Sequence, residues 1–167
     1  SGGYFSDYIE LHNAGSALGL AGYSISDDPA LPRKYVFSTG SVIASGQRLL
    51  LYADSILGAP GIQLGFGLSR DGEGVYLYDP AGTLVDSVVF GLQVPDRSIG
   101  RTGAATDAWS LNRPTPGAVN VAQSLGSPST LRINEWLSKP DLVFNEDFIE
   151  LYNPDPRPVS LGGLATT

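Results

Sequence analysis

Few residues of this chain have the type and spacing that catalysis requires. Its 167 residues include one histidine, His12, and no cysteine. These counts exclude a cysteine nucleophile, a disulfide and a site built from several histidines. His12 could serve a serine nucleophile as general base, but the chain repeats this segment with Tyr152 in the matching position, and tyrosine cannot replace such a base. We therefore interpret His12 as a cross-strand packing residue and predict no catalytic residue and no enzymatic activity.

Acidic residues form small local clusters at Asp27-Asp28, Asp71-Gly72-Glu73 and Asp79. Calcium takes about six to eight oxygen ligands, and loops of this kind can contribute some of them. None of the clusters has the spacing of a helix–loop–helix calcium site. We interpret them as turn residues and predict neither a metal site nor a cofactor.

Two glutamates, Glu10 and Glu150, fall on the outward side of predicted strands. Either could be a buried anion that orders loops or binds a ligand. The favoured interpretation is a cross-strand partner for arginine or for loop amides. Arg97 and Arg101 could each bind a carboxylate of the protein itself, with Glu10 as a candidate, or a carboxylate of a partner.

Aromatic side chains recur along the chain and allow two interpretations. They could form a binding surface for sugar or peptide, or be the half-exposed residues that are usual in strands. The sequence leaves both open for Tyr4, Phe5, Tyr8, Tyr23, Tyr35, Tyr76 and Tyr78.

The charge balance disfavours nucleic acid as a partner. Ten basic and seventeen acidic residues give a net charge of −7. Duplex binding needs a basic patch that neutralises phosphates, so we predict weak or no nucleic-acid binding. No apolar run approaches the roughly 20 residues that span a bilayer. The chain opens at Ser1 without an initiator methionine or a signal peptide, so we expect either a processed or an artificially trimmed piece of a longer protein.

An internal repeat organises the chain. Asp7–Asn13 returns as Asp147–Asn153, 140 positions later, with five identities in seven positions. Asn13 and Asn153 end the two copies, where their side chains are expected to cap turns.

The repeat predicts one nearly whole unit and the start of another. Residues 121–130 are uncharged and rich in Ser, Gly and Pro, which is typical of a linker. Leu131–Leu137 is a plausible strand that precedes the second copy of the motif. We therefore predict a first unit over residues 1–120, a linker over 121–130, and the opening strands of a second unit over 131–167.

Short segments of period two predict an all-β chain. Tyr8–His12 alternates, with Ile9 and Leu11 on one face. Another expected strand is Leu64–Leu68. The clearest hairpin joins 75–78 to 83–90 through Asp79-Pro80-Ala81-Gly82, where Pro and Gly suit a tight turn. Such spacing indicates an antiparallel sandwich or barrel.

Four segments, taken in order, resemble the lamin-tail domain. They are Asp7–Asn13, Leu20–Asp28, Asp79–Asp86, and a closing pattern of Ser98-Ile99-Gly100-Arg101, Trp109 and Pro114-Thr115-Pro116-Gly117-Ala118-Val119-Asn120. The resemblance covers residues 1–120, and residues 131–164 resemble the opening of a second copy. It implies an immunoglobulin-like antiparallel β-sandwich.

The resemblance also implies a function and a setting. The chain resembles the bacterial, secreted branch of the family, whose modules often occur in tandem, more than the intermediate-filament branch, since no heptad rod precedes the motif in this sequence. We expect a non-catalytic structural or interaction module, serving adhesion, targeting or spacing, in a secreted or cell-surface multidomain protein. The alternative is a ligand-binding module for carbohydrate, calcium or nucleic acid that accompanies an extracellular hydrolase or nuclease.

The first copy lacks the family's opening I-N-E strand, which the second copy has at Ile133-Asn134-Glu135. A sandwich without this strand has an unpaired edge and an apolar slot. We predict that Leu131–Leu137 fills the slot, either within one molecule or swapped into a neighbour as a homodimer, with Ile133 pointing into the core.

Overall fold

The computed structural model describes residues 6–54, 61–102, 108–139 and 146–162. The chain divides into two units, Ser1–Val121 and Ala122–Thr167. No helix among the described residues has the length and apolar character to cross a membrane.

The described residues form strands throughout. In chain order these are β1 (Asp7–His12), β2 (Leu18–Gly19), β3 (Ser24–Ser26), β4 (Tyr35–Val36), β5 (Val42–Ile43), β6 (Arg48–Ala53), β7 (Ile62–Gln63), β8 (Glu73–Tyr78), β9 (Leu84–Phe90), β10 (Ser98–Arg101), β11 (Trp109–Arg113), β12 (Val121–Ala122), β13 (Arg132–Leu137) and β14 (Phe148–Tyr152).

Two sheets carry the core of the first unit. One has the strand order β4-β3-β8-β9 and the other β1-β6-β7. The pairs β1–β6, β3–β8 and β8–β9 are antiparallel, and β6–β7 is parallel. A two-stranded sheet, β2-β5, and a three-stranded sheet, β10-β11-β12, are the other described sheets that contain strands of the first unit. This arrangement confirms the predicted all-β chain.

The core lies between the two larger sheets because each sheet contributes its apolar face. Ile25 of β3 and Leu51 of β6 are both fully buried. Ile9 and Leu11 of β1 pack against this core, as their alternation predicts. The buried cluster consists of Leu20, Ile25, Phe37, Ile43, Leu51, Ala53 and Leu64.

The predicted hairpin is confirmed, whereas the strand predicted at Leu64–Leu68 is wrong. The Gly82 N–H donates to the Asp79 carbonyl at 3.0 Å in the turn that joins β8 to β9. Near Leu64, the short strand β7 ends at Gln63. Gly65 has a φ of +79°, which interrupts an extended backbone at that point.

The second unit has little packing among its described residues. β13 and β14 form a two-stranded antiparallel sheet. No described residue from Ala122 onward is buried. The segment predicted to be a linker contains β12 and a single 3₁₀ turn at Pro128–Thr130.

The pairing of β13 corrects one prediction. Its described partner is β14 of the same unit, and Ile133 is 62% exposed. Insertion of Leu131–Leu137 into the first sandwich within one molecule is therefore wrong for this structure. The exchange of this strand between two molecules stays a prediction.

Candidate functional site

Glu10 connects β1 to the loop that follows β11. Its Oε2 accepts the Gly117 N–H at 2.6 Å, and its Oε1 lies 3.7 Å from Nε of Arg48. The Glu10 side chain is 14% exposed. These contacts confirm the interpretation of Glu10 as a partner for an arginine and a loop amide. In the second unit, Glu150 instead accepts a hydrogen bond from the Asn134 side chain across the strand pair.

Asp86, Arg101 and Trp109 form a second polar cluster. The Arg101 Nη1 and Nη2 donate to the two Asp86 carboxylate oxygens at 2.7 and 2.8 Å. The Arg101 guanidinium also lies 4.3 Å from the centre of the Trp109 ring, in cation–π geometry. The cluster joins two sheets, because Asp86 lies on β9 whereas Arg101 and Trp109 lie on the paired strands β10 and β11 of another sheet.

This cluster corrects the expected arginine pairing. Arg101 does bind a carboxylate of the protein itself, as one alternative predicted, but the candidate Glu10 is wrong, because Arg101 pairs with Asp86 in bidentate fashion. Arg97 donates from Nη1 to the Asp96 carbonyl at 2.6 Å. The Asp86 pairing has one sequence signal: Asp86 and Arg101 each end a segment of the lamin-tail-like pattern.

Asp86 gives the cluster a testable pH dependence. Hydrogen bonding from Arg101 lowers the pKa of the Asp86 carboxyl from its ordinary value of 3.8, and burial partly opposes this. Because the folded pKa lies below the unfolded one, the ionised carboxylate stabilises the fold above about pH 3.8, and the stabilisation is lost as pH falls through the folded value.

We expect Asp86→Asn to lower the melting temperature at neutral pH, and the difference from wild type to shrink as pH falls below about 3.8. The loss should stay under about 1 kcal/mol, since the pair is partly exposed. Thermal unfolding followed by circular dichroism across a pH series measures both effects. Asp71→Asn is the control, because Asp71 and its partner Arg70 are both largely exposed. A difference for Asp86→Asn that persists unchanged into acid contradicts the assignment.

A cleft of about 370 Å³ lies beside β1. Most of its lining is apolar, and the charge of Arg101 within it is compensated by Asp86. Its lining residues are Leu11, His12, Asn13, Leu18, Leu20, Ile43, Leu77, Val85, Asp86 and Arg101. The cleft is therefore suited to an apolar side chain more than to a charged ligand.

A shallower depression of about 310 Å³ lies between β9 and the pair β10–β11. Val89, at 73% exposed, and Trp109, at 40% exposed, both line it. Leu92, at 76% exposed, extends the same apolar surface. These exposed side chains make this side of the first unit apolar.

The acidic residues near Asp27 and Asp79 serve turns. Asp27 pairs with Lys34 at 2.6 Å, and this pairing raises the pKa of the Lys34 ammonium. The Asp79 carboxylate accepts the backbone N–H groups of Ala81 and Thr83 at 2.9 and 2.8 Å. Both arrangements agree with the interpretation of these acids as turn residues.

Two other acids of the predicted clusters, Asp28 and Glu73, also accept hydrogen bonds from nearby backbone N–H groups. Asp28 accepts the Ala30 N–H at 2.8 Å, and Glu73 accepts the Ser69 N–H. Within the described ranges, no three His, Cys, Asp or Glu side chains come close enough together to hold a metal ion.

Asn13 and Asn153 cap equivalent turns in the two units. The Asn13 Oδ1 accepts the Gly15 N–H at 3.0 Å, and the Asn153 Oδ1 accepts the Asp155 N–H at 3.1 Å. Both are bonds to the residue two positions on, which confirms the predicted capping role. The repeated motif thus folds into a strand followed by the same turn in each unit.

Several of the described aromatic residues pack in or against the core of the first unit. Tyr23 and Tyr35 pack against the core, and Tyr78 is buried. The rings of Tyr35 and Phe37 meet edge to face at 5.2 Å. The candidates Tyr4 and Phe5 lie outside the described residues. The packing favours the strand interpretation for Tyr23, Tyr35 and Tyr78.

His12 ends β1 opposite Arg48 and lies at the cleft. Its counterpart Tyr152 ends β14 opposite Arg132 and is 55% exposed. The two rings therefore occupy the same place on equivalent strands, each facing an arginine, as expected of cross-strand packing residues.

Comparison with known proteins gives one match. The family model for the Lamin Tail Domain matches residues 1–91, which is more than half of the chain. The match begins before β1 and ends just after β9. No curated protein and no solved structure gave a significant match. The family match confirms the resemblance over residues 1–91 and, with the antiparallel sheets, the immunoglobulin-like fold; the resemblance of residues 92–120 and 131–164 stays a prediction.

Proposed function

Because this chain belongs to the lamin tail domain family, we propose that it is a non-catalytic interaction or spacer module of a secreted or cell-surface multidomain protein. Lamin tail domains are immunoglobulin-like modules. Folds of this kind present edges and loops to other proteins on a rigid sandwich.

One observation carries the proposal: Glu10, Asp86 and Asn13, three polar side chains of the first unit, are engaged in holding the sandwich together. Glu10 bonds the loop at Gly117, and Asp86 binds Arg101 through both oxygens. Asn13 donates to the carbonyls of Ser16, Ile43 and Ala44. A catalytic group must instead be within reach of a substrate.

The setting is supported by the sequence. The repeated motif indicates that modules follow one another along a chain, as in multidomain proteins. The chain, which has a net charge of −7, contains no cysteine, and this absence fits an oxidising exterior. Protease treatment of intact cells that make the parent protein tests the setting: the module should be cleaved from the outside, and protection until the cells are lysed contradicts a surface or secreted location.

A hydrolase screen tests the proposal that the module is non-catalytic. The purified chain and its His12→Ala variant should both give no turnover of ester, phosphodiester, glycoside or peptide substrates. Turnover by the wild type that is lost in His12→Ala overturns the proposal.

A thermal-shift series separates the module from a ligand-binding alternative. Ligands that bind the folded state raise the melting temperature. We expect no shift with oligosaccharides, calcium or duplex DNA at physiological salt. A shift that saturates with one of these ligands supports the alternative.

A further inference from the structure

The strand β1 has an edge that is unpaired among the described residues. It lies at the end of the sheet β1-β6-β7 and is hydrogen-bonded to β6. An unpaired edge presents a row of backbone donors and acceptors that can pair with a strand of another chain. The apolar cleft beside β1 lies at the same place.

The second unit shows which strand pairs with this motif. β14 is the repeat of β1, with the same Asx turn after it, and its partner is β13. Because the two strands share sequence and local structure, β13 is also suited to the corresponding edge of β1.

The repeat fixes the register of this pairing. Arg132 lies opposite Tyr152, and Ile133 lies opposite Leu151. Shifted by the repeat distance, these partners become His12 and Leu11. Directly opposite residues point to the same face of a sheet. Ile133 would therefore lie on the face of Leu11, which lines the cleft.

In the pair of β13 and β14, large apolar side chains stay exposed to solvent and could be buried by another partner. Ile133 and Trp136 of β13 are 62% and 70% exposed, and Ile149 and Leu151 of β14 are 54% and 41% exposed. An isolated two-stranded sheet is only marginally stable. Moving β13 from β14 to β1 exchanges this sheet for one that already carries a packed core.

We propose that β13 of one chain pairs with the edge of β1 that has no described partner, in a second copy of the same chain, and places Ile133 in the cleft beside Leu11. Reciprocal exchange closes the pair as a two-fold dimer, in which each chain donates one strand and accepts one. This inference rests on the proposed interaction role and names its partner.

Light scattering of the full chain after size exclusion measures the mass. We expect twice the mass of one chain, with dissociation on dilution. Ile133→Asp should return the protein to the mass of one chain, because it would bury an unpaired charge in the cleft. The matched control is Leu161→Asp, since Leu161 is 57% exposed in the same unit and lies outside β13 and β14; it should leave the dimer intact.

Cross-linking locates the contact, and the natural absence of cysteine makes it specific. Separate His12→Cys and Arg132→Cys variants are mixed and treated with a short thiol-reactive cross-linker. We expect covalent dimers that contain one chain of each variant, and far fewer when Leu161→Cys replaces Arg132→Cys.

Two results overturn the inference. One is a single-chain mass at every concentration with no mixed cross-link. The other is a cross-link within single chains of a His12→Cys/Arg132→Cys double variant, at single-chain mass. Either result leaves the proposed non-catalytic function intact, because turnover tests that function independently.

Discussion

Replacing Phe37 with alanine is expected to destabilise the first unit by about 3–5 kcal/mol. Phe37 is 2% exposed within the core cluster, and the Tyr35 ring packs edge-on against it. Truncation removes the apolar contacts and leaves a cavity that the surrounding strands cannot fully close. Since domains of this size have about 5–15 kcal/mol of stability, the variant should lose a large part of it.

Urea unfolding followed by circular dichroism measures the Phe37→Ala effect. The matched control is Val36→Ala, because Val36 is the neighbouring residue in β4 and is 38% exposed. We expect the control to cost less than about 1 kcal/mol. Equal losses in the two variants contradict the position of Phe37 in the core.

Replacing Gly72 with alanine is expected to cost about 2–4 kcal/mol, because backbone strain and a backbone clash combine. Gly72 has a φ of +116°, and an added Cβ would lie 2.7 Å from the Phe90 carbonyl oxygen and 2.9 Å from the Gly91 Cα. Glu73, the next residue, pairs with Phe90 at the end of the β8–β9 ladder. Relief of the clash therefore requires these two strands to separate locally.

Gly82→Ala is the matched control for this second prediction. Gly82 also has a positive φ, at +85°, but no atom lies within 4 Å of its added Cβ. Only the left-handed conformation is penalised there, at about 1–2 kcal/mol. The same urea unfolding should rank Gly72→Ala as the more destabilised variant, and equal midpoints contradict the predicted clash.

Local patterns in the sequence were sufficient for the fold class and for several elements. The alternation of Ile9 and Leu11 predicted β1 and its buried face, and Asp79–Gly82 predicted the β8–β9 hairpin. The repeat of Asp7–Asn13 predicted a second strand and an equivalent turn at Asn153. These features depend on neighbouring residues, because period two sets which face is buried and turn residues set the local backbone. The strand predicted at Leu64–Leu68 failed for a local reason as well: the positive φ of Gly65 ends the extended backbone.

The polar partners were decided by the tertiary structure. Glu10 meets Gly117, 107 positions away, and Asp86 meets Arg101 across two different sheets. The sequence identified carboxylates and arginines of the right type, yet the candidate partner that it offered for Arg101 was Glu10. Which charge meets which depends on the order of strands in the sheets, and residue spacing does not encode that order. The partner of β13 was likewise decided by the tertiary structure. Its sequence predicted a strand, but only the assembled sheets showed that it pairs with β14 in the single chain. The physical reason is that an edge strand pairs with whichever edge the fold brings beside it.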